Sequence, residues 1–416
     1  MIKHLKSKAA QHKTIIQNFS YLSAIQIFNL FIPLITYPYL IRVLGKETYG
    51  LIVFAQAIIG YLFILVSFGF NISATKEVSI HRDDKETLSK IVSSVLQIKV
   101  GLLVLTFIIL LILLYSIPQA NAYKMLFVLT MWICLYDVIF PAWYFQGIER
   151  MKFITYLTLI SRIIFLGLIF VFIKERSDYL WVPVINGIGA LVAGIISLGI
   201  IFKNHGLKFI IQPYVVLKAY FVDSIPIFMS NLSVQLYVST NKVIIGAFLG
   251  MADVAYYDLG DKITSILKMP LSLFGQSLFP KINKDKNIAF VKKAFKYSVI
   301  FNIFLFVLAL FFSRYIVLLL GGNQMIKAIW VVNILALNAP LVAMSNIFGI
   351  QLLIPFGYTK KFSQIIIVSG VFYFLQFLIV WSLFGVNIYN ISALTVTTEI
   401  FVTSLMFYFC KKYKLW

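Results

Sequence analysis

Apolar residues recur in runs of about 20 along the entire chain, and each run is long enough to cross a ~30 Å hydrocarbon layer as a helix. The runs predict spans at 16–40, 50–72, 92–115, 125–146, 154–173, 180–202, 223–247, 256–279, 297–320, 327–354, 363–384 and 388–410. No stretch between them is both long and polar enough to fold as a separate aqueous domain. The pattern predicts an all-α polytopic membrane protein of about 12 transmembrane helices, since a helix satisfies every backbone N–H and C=O inside lipid without outside partners.

Polar positions inside these runs carry the information. A charge facing lipid at mid-span costs ~2.5–3.5 kcal/mol for Lys, Arg or Asp, so such residues are expected to face protein or water. At ~100° per residue, Gln26, Asn29, Pro33 and Thr36 share one face of the first span. Gln56, Gly60, Ser67 and Asn71 share a face of the second. The seventh carries Asn231, Gln235, Ser239 and Lys242; the eighth carries Asp261, Ser265, Lys268, Ser272 and Gln276, with Asp258 and Lys262 alongside. A central polar chamber accounts for these stripes. Interhelical hydrogen bonding, worth ~0.6–2 kcal/mol each, accounts equally well for the Ser, Thr, Asn and Gln positions. Lys242 and Lys262 have a second reading, snorkelling toward the nearer surface, whereas Lys268 sits deeper. Arg162 and Asp137, on adjacent spans, are candidates for mutual pairing. Lys99 reads as a snorkelling anchor, Arg42 as an interface anchor, and Glu399 either as a proton or cation site or as a buried neutral acid.

Composition excludes a conventional soluble enzyme. The 416 residues are 61% hydrophobic and 12% charged, with a mean hydropathy of +0.93, against roughly a quarter charged in soluble domains. The formal charge of +21 invites a nucleic-acid partner, but the cations fall mainly in alternate loops, which is how topology is encoded. One side holds the basic N-terminus, Lys76/Arg82/Lys85/Lys90, Arg150/Lys152, Lys203/Lys208/Lys218, the Lys281–Lys296 cluster, Lys360/Lys361 and the tail. The other has only Arg42, Lys46, Lys124, Lys174, Arg176, Arg314 and Lys327. Both termini are therefore expected in the cytoplasm, and the first apolar run reads as a retained span, not a cleaved signal.

A shift of about 205 residues sets Leu44-Gly45 on Leu249-Gly250, Gln56 on Asp261 and Ile58 on Ile263. The spans then divide into two six-helix bundles, 1–208 and 209–416, joined by the mixed loop at 203–222. Both halves start on the same side, so the repeats run parallel. Other chemistry is sparse. Cys134 and Cys410 have no metal or redox spacing, and His4, His12, His81 and His205 lie apart in tail and loops. No P-loop and no catalytic triad context occurs, and no metal or cofactor is expected.

The run PYLIRVLGKETYGLIVFAQAI (38–58), the run FGFNISATKEVSIHRDDKETLSKIVSSVL (68–96) and the short loop YFQGIERMKFIT (144–155) resemble bacterial O-antigen flippases of the Wzx type. That family shares a superfamily, termed MOP, with MATE multidrug antiporters and lipid II flippases. The resembling positions are Gly45, Gly50, Phe68, Gly69, Asn71, Ser73, Ala74 and Glu77; Lys46 stands where similar proteins usually have Pro or another residue. The C-terminal half matches mainly in span count. Gly69 and Asn71 have a fold-forming reading too, as caps of the second helix.

The resemblance implies a MATE-like fold and a substrate, undecaprenyl-pyrophosphate carrying an oligosaccharide repeat unit, for O-antigen or capsule. It implies the bacterial inner membrane and a polysaccharide polymerase as candidate downstream partner; a monomer is the default for a pseudo-twofold transporter. A pyrophosphate needs cations, for which Lys268, Lys242, Lys262 and Arg162 are the candidates. Sugars need amides and aromatic faces, for which Asn29, Gln56, Gln235, Gln276 and Tyr237 are available. Asp137, Asp258 and Asp261 are candidate ion-coupling sites. The alternative on the same architecture is an ion-coupled multidrug or solute antiporter, which would want an acidic lumen. A membrane glycosyltransferase or ligase would want catalytic acids or Arg-rich outer loops, and the outer loops here are short.

Overall fold

A computed structural model describes the backbone at 2–116 and 121–416. Within those ranges, side chains are described except at 2–16, 18, 19, 22, 30, 233, 234, 236–239, 272, 273, 276, 277, 280, 281 and 284. Among the described residues there are helices and no strands. Ten helices among the described residues are long and apolar enough to cross a membrane. Two physical details carry that number to the expected twelve. The segment Ser23–Ile80 counts once, although it breaks at Gly45. Helix Met251–Asp285 is too polar to be counted, because Asp253, Asp258, Asp261, Lys262 and Lys268 all lie on it.

The helices fall into two compact units, one made of Met1–Thr36 and Ala55–Leu232, the other of Tyr37–Phe54 and Ser233–Trp416. The first has its core around Phe70, Val78, Ile91, Val95, Trp143 and Phe145. The second is built around Val291, Phe348, Leu352, Ile365, Val402 and Met406. Outward-facing positions are apolar as well. Helix Lys85–Ser116 buries Ile91, Val95 and Lys99 but exposes Val104, Ile108 and Ile112. A soluble helix would put polar residues on that outer face; here the surrounding solvent is lipid.

The repeat is visible in the helix boundaries. The offset of about 205 carries Lys85–Ser116 onto Ile288–Gly321, Lys124–Gly147 onto Ala328–Leu353, and Met151–Phe172 onto Thr359–Ile379. Both members of the second pair are segmented. In the first half Phe140 leaves helical geometry just before Pro141, as the ring of a proline demands of its predecessor. In the second, helix Ala328–Ala336 stops at the carbonyl that Pro340, lacking an N–H, cannot bond. Gly45 and Gly250, the pair matched by sequence, both break a helix with positive φ, 76° and 132°. A Cβ on either would meet nothing within 4 Å, so backbone conformation, not space, requires glycine there.

Residues 68–80 extend beyond the expected end of the second span. Gly69 caps a separate helix, Phe70–Ile80, and Asn71 Nδ2 donates to Ser67 Oγ at 3.2 Å across the break. This is the fold-forming role.

The connection between the sequence halves is not a free loop. Ser89, Ser93 and Gln97 lie four residues apart on helix Lys85–Ser116 and so on one face. Ser89 Oγ accepts from Lys208 N (3.1 Å), Ser93 Oγ from Ile210 N (3.0 Å) and Gln97 Oε1 from Gln212 N (3.2 Å). Four helical residues rise ~6 Å and two extended residues ~6.6 Å, so the two periods stay in register over three rungs. Extended backbone that would otherwise lack partners is thereby satisfied by side chains.

Two outcomes test these features. Ser93→Ala removes the middle rung, and amide hydrogen exchange at Ile210 should accelerate by about tenfold, the worth of one bond of ~1 kcal/mol or slightly more. Gly50 lies where a Cβ would come within 1.7 Å of the Met251 carbonyl oxygen, whereas one at Gly101 would meet nothing. Gly50→Ala should lower the thermal midpoint in detergent by overpacking worth at least ~1–3 kcal/mol, while Gly101→Ala leaves it unchanged or raised.

Candidate functional site

Charged side chains inside the spans are the candidate machinery, and each unit arranges its own. In the second unit, Asp258 and Lys262 are one turn apart on helix Met251–Asp285, so they share a face. Lys242 reaches them from helix Tyr214–Phe248. Asp258 is 2% exposed and accepts from Lys242 Nζ (2.9 Å), Tyr49 Oη (2.9 Å) and Lys262 Nζ. Lys242 Nζ also lies 2.9 Å from Asp261 Oδ2. Lys262 Nζ donates to Tyr49 Oη at 3.1 Å and sits 5.7 Å from the ring centres of Tyr37 and Tyr49. Two ammonium groups and two carboxylates thus form one neutral cluster, faced by two aromatic rings that favour cations.

A neutral network adjoins it. Asn241 Nδ2 donates to Tyr257 Oη and Thr395 Oγ1, both at 2.7 Å, and Asn241 Oδ1 accepts from Tyr373 Oη. Tyr37, Tyr49, Asn241 and Tyr373 escape a search for charged residues. Their only sequence signal is a hydrogen-bonding group inside an apolar run.

In the first unit Lys99 is fully buried, with Nζ 2.7 Å from Asp137 Oδ2 and 3.0 Å from the Asp137 carbonyl oxygen. The expectation of a snorkelling Lys99 is therefore corrected. An ammonium with no route to water must carry its counter-ion inside, and Asp137 is that counter-ion. The suggested Arg162–Asp137 pair is corrected with it: Arg162 makes no ion pair or hydrogen bond among the described residues. It stays half-buried, within electrostatic range of Tyr136.

Lys268 resembles Arg162 in this respect. It has no ion pair or hydrogen bond among the described residues, and Glu399, held by Ser345 Oγ at 2.5 Å, feels its charge. The four candidate cations thus separate into two neutralised ones, Lys242 and Lys262, and two without a contacting counter-ion, Lys268 and Arg162. Of the amides, Asn29 is exposed and Gln56 half-buried, neither with a hydrogen bond among the described residues; Gln235 is half-buried, and the Gln276 and Tyr237 side chains lie outside them. Arg42 donates from Nη2 to the Leu319 carbonyl (2.6 Å) near the end of helix Ile288–Gly321, a cation on a helix C-terminus. Among the described residues no group of three or more His, Cys, Asp or Glu converges as a metal site would require.

The Lys99–Asp137 pair gives a direct test of structure against function. Asp137→Asn leaves a buried ammonium without its carboxylate and should cost ~3–5 kcal/mol, read as loss of folded protein extracted from membranes. Lys99→Met with Asp137→Leu removes both charges and should restore the yield. Transport retained by that double variant identifies the pair as structural.

Comparison with known proteins agrees with this architecture. Residues 15–284 match the family described as polysaccharide biosynthesis protein. A curated relative from Escherichia coli (strain K12), named a candidate O-antigen transporter, is 30% identical over 407 residues, covering 96% of this chain and 97% of its own. A Shigella dysenteriae protein with the same description is 25% identical over 353 residues, covering 83% and 88%. Among solved structures, an inward-facing multidrug resistance MATE family transporter of the MOP superfamily superposes with a TM-score of 0.74 at 13% identity, covering 94% of this chain and 97% of that one. The lipid II flippase MurJ, in an inward closed conformation, superposes at 0.72 with 17% identity, covering 94% and 87%. Those two likenesses establish the fold; the sequence matches establish kinship, and the chain belongs to the polysaccharide biosynthesis protein family of multi-pass membrane transporters.

Proposed function

We propose that this protein is a flippase for undecaprenyl-pyrophosphate-linked oligosaccharide repeat units, moving them by alternating access across a bacterial inner membrane for O-antigen or capsule assembly. The observation that carries the reading is the pair of span cations without a contacting counter-ion, Lys268 and Arg162. A charge kept in a membrane span at a cost of several kcal/mol implies a partner of opposite sign that comes and goes. A pyrophosphate is such a partner, and the descriptions of the two curated relatives support a polysaccharide precursor as its carrier. Exposed Asn29 and half-buried Gln56 offer amides to sugar hydroxyls. In this reading Lys242, Lys262, Asp258 and Asp261 hold the second unit together, and any ion coupling through Asp258 or Asp261 requires that cluster to open.

The distribution of Lys and Arg supports cytoplasmic termini, with loading from that side. The working unit is a monomer that hands its cargo to a polysaccharide polymerase. The antiporter alternative draws less support. Asp137, Asp258 and Asp261, the candidate coupling acids, are all bound by lysine; Glu399, held by Ser345, is a span acid without a contacting lysine among the described residues.

Purified protein in vesicles loaded with labelled lipid-linked oligosaccharide tests the proposal by the leaflet exposure of the label. Lys268→Ala should slow flipping by about tenfold or more, the worth of a charge-assisted contact of ~1.5–3 kcal/mol, with insertion unchanged and Lys268→Arg partly active. Wild-type flipping in Lys268→Ala removes that residue from the mechanism. Efflux of cationic dyes without any flipping removes the flippase.

A further inference from the structure

The first unit contains a second cationic feature, at the ends of its spans and unrelated to the buried pair. Three connections meet there: 81–84, 148–150 and 204–207. Between them opens a cavity of about 540 Å³ whose polar wall is Arg82, Asp83, Lys85, Tyr144, Arg150, Asn204 and His205. Leu88 and Leu207, both buried, close its base. Leu207 begins the extended segment that the Ser89, Ser93 and Gln97 rungs fix, so one wall is held by the same ladder.

Hydrogen bonding sets the chemistry of the wall. Arg150 Nη1 lies 3.3 Å from His205 Nε2, and Tyr144 Oη lies 2.9 Å from His205 Nδ1. A guanidinium only donates, so Nε2 must accept. The neutral ring then carries its proton on Nδ1 and donates it to Tyr144 Oη. His205 is kept neutral by its surroundings, since burial and the charges of Arg150 and Lys85 all lower its pKa. Tyr144 Oη is occupied as an acceptor, and its own O–H has no other hydrogen bond among the described residues. That proton is free to point into the cavity.

The charges are unbalanced in one direction. Arg82 is engaged by Glu149 at 3.2 Å and Asp83 at 3.9 Å. Asp83 is on the rim, its side chain 98% exposed and well screened. Lys85 and Arg150 have no carboxylate within 4.0 Å among the described residues. Two unpaired cations, one fixed in orientation by a neutral histidine, and one free hydroxyl donor converge on a space large enough for a pyrophosphate.

We propose that this cavity is a phosphate-type oxyanion site, separate from the membrane-embedded cations, in which Arg150 and Lys85 supply charge and Tyr144 a hydrogen bond. Two sources carry that chemistry at a membrane surface: the phosphate of a lipid headgroup and phosphate free in water. The site does not depend on the flippase reading, since neither Lys268 nor Arg162 takes part.

The test uses full-length protein in phosphatidylcholine nanodiscs with inorganic pyrophosphate as the probe, followed by calorimetry. Binding should be measurable, weaken with added salt, and fall by about tenfold in Arg150→Gln and in Lys85→Gln. Lys85 is exposed, so its variant leaves the fold intact; Tyr144→Phe should weaken binding by a smaller factor, and Lys268→Ala not at all. Replacing phosphatidylcholine by phosphatidylglycerol sorts the sources. Displacement of pyrophosphate that depends on Arg150 assigns the site to lipid headgroups, and unchanged binding assigns it to soluble phosphate. No binding in phosphatidylcholine, or equal binding in wild type and both charge variants, overturns the proposal.

Discussion

A polar group inside a hydrocarbon layer has no water to fall back on, and nearly every feature of this molecule follows from that. The backbone answers it with helices. Where helices break, the sequence supplies a residue suited to the break: glycine at 45 and 250, proline at 141 and 340. The charged side chains answer it by pairing. Lys99 with Asp137, and Lys242 and Lys262 with Asp258 and Asp261, are neutral assemblies in which no charge is left over. Among the described residues Lys268 and Arg162 are the candidate cations that break the rule, and function is most economically sought where the rule is broken.

The two halves share a scaffold and differ in how they spend their polar residues. Helix boundaries repeat at one offset, and so does the glycine break between the first two spans of each half. The ion pairs do not repeat. The first half joins its third and fourth spans through Lys99 and Asp137, while the second joins its first two through Lys242, Asp258 and Lys262. Gln56, the counterpart of Asp261, carries no charge at all. A duplicated fold whose charges have diverged fits the cargo proposed above, with its anionic end and neutral sugar end.

The scaffold was legible in the sequence because it is written locally. Span length, the apolar period and the glycines at 45 and 250 need only neighbours along the chain to be read. The eighth span shows where that local reading must be handled with care. Its apolar run was legible at 256–279, yet the charges on Met251–Asp285 keep it out of the ten helices that are long and apolar enough to cross a membrane. Pairing was not legible, because it depends on which helices touch. Lys99 looked like a snorkelling anchor and is sealed in; Asp137 looked like a partner for Arg162 and belongs to Lys99. His205 looked like an isolated loop residue and orients Arg150 instead. The rungs from Ser89, Ser93 and Gln97 were hidden for the same reason, since polar residues spaced by four on a helix give no hint of the extended segment lying across it.

Lys268 and Arg162, as cations kept in the spans for a partner that comes and goes, must meet water where a lipid-facing side chain does not. Single cysteines at 268 and 162, probed with a membrane-impermeant maleimide, measure this directly. The native Cys134 and Cys410 are buried and serve as internal blanks, and Ile112→Cys, on an outward apolar face, reports the reactivity of a lipid-facing site. Labelling at 268 and 162 well above that at 112 is the predicted result. Equal protection at all three positions would put both cations against acyl chains and contradict it.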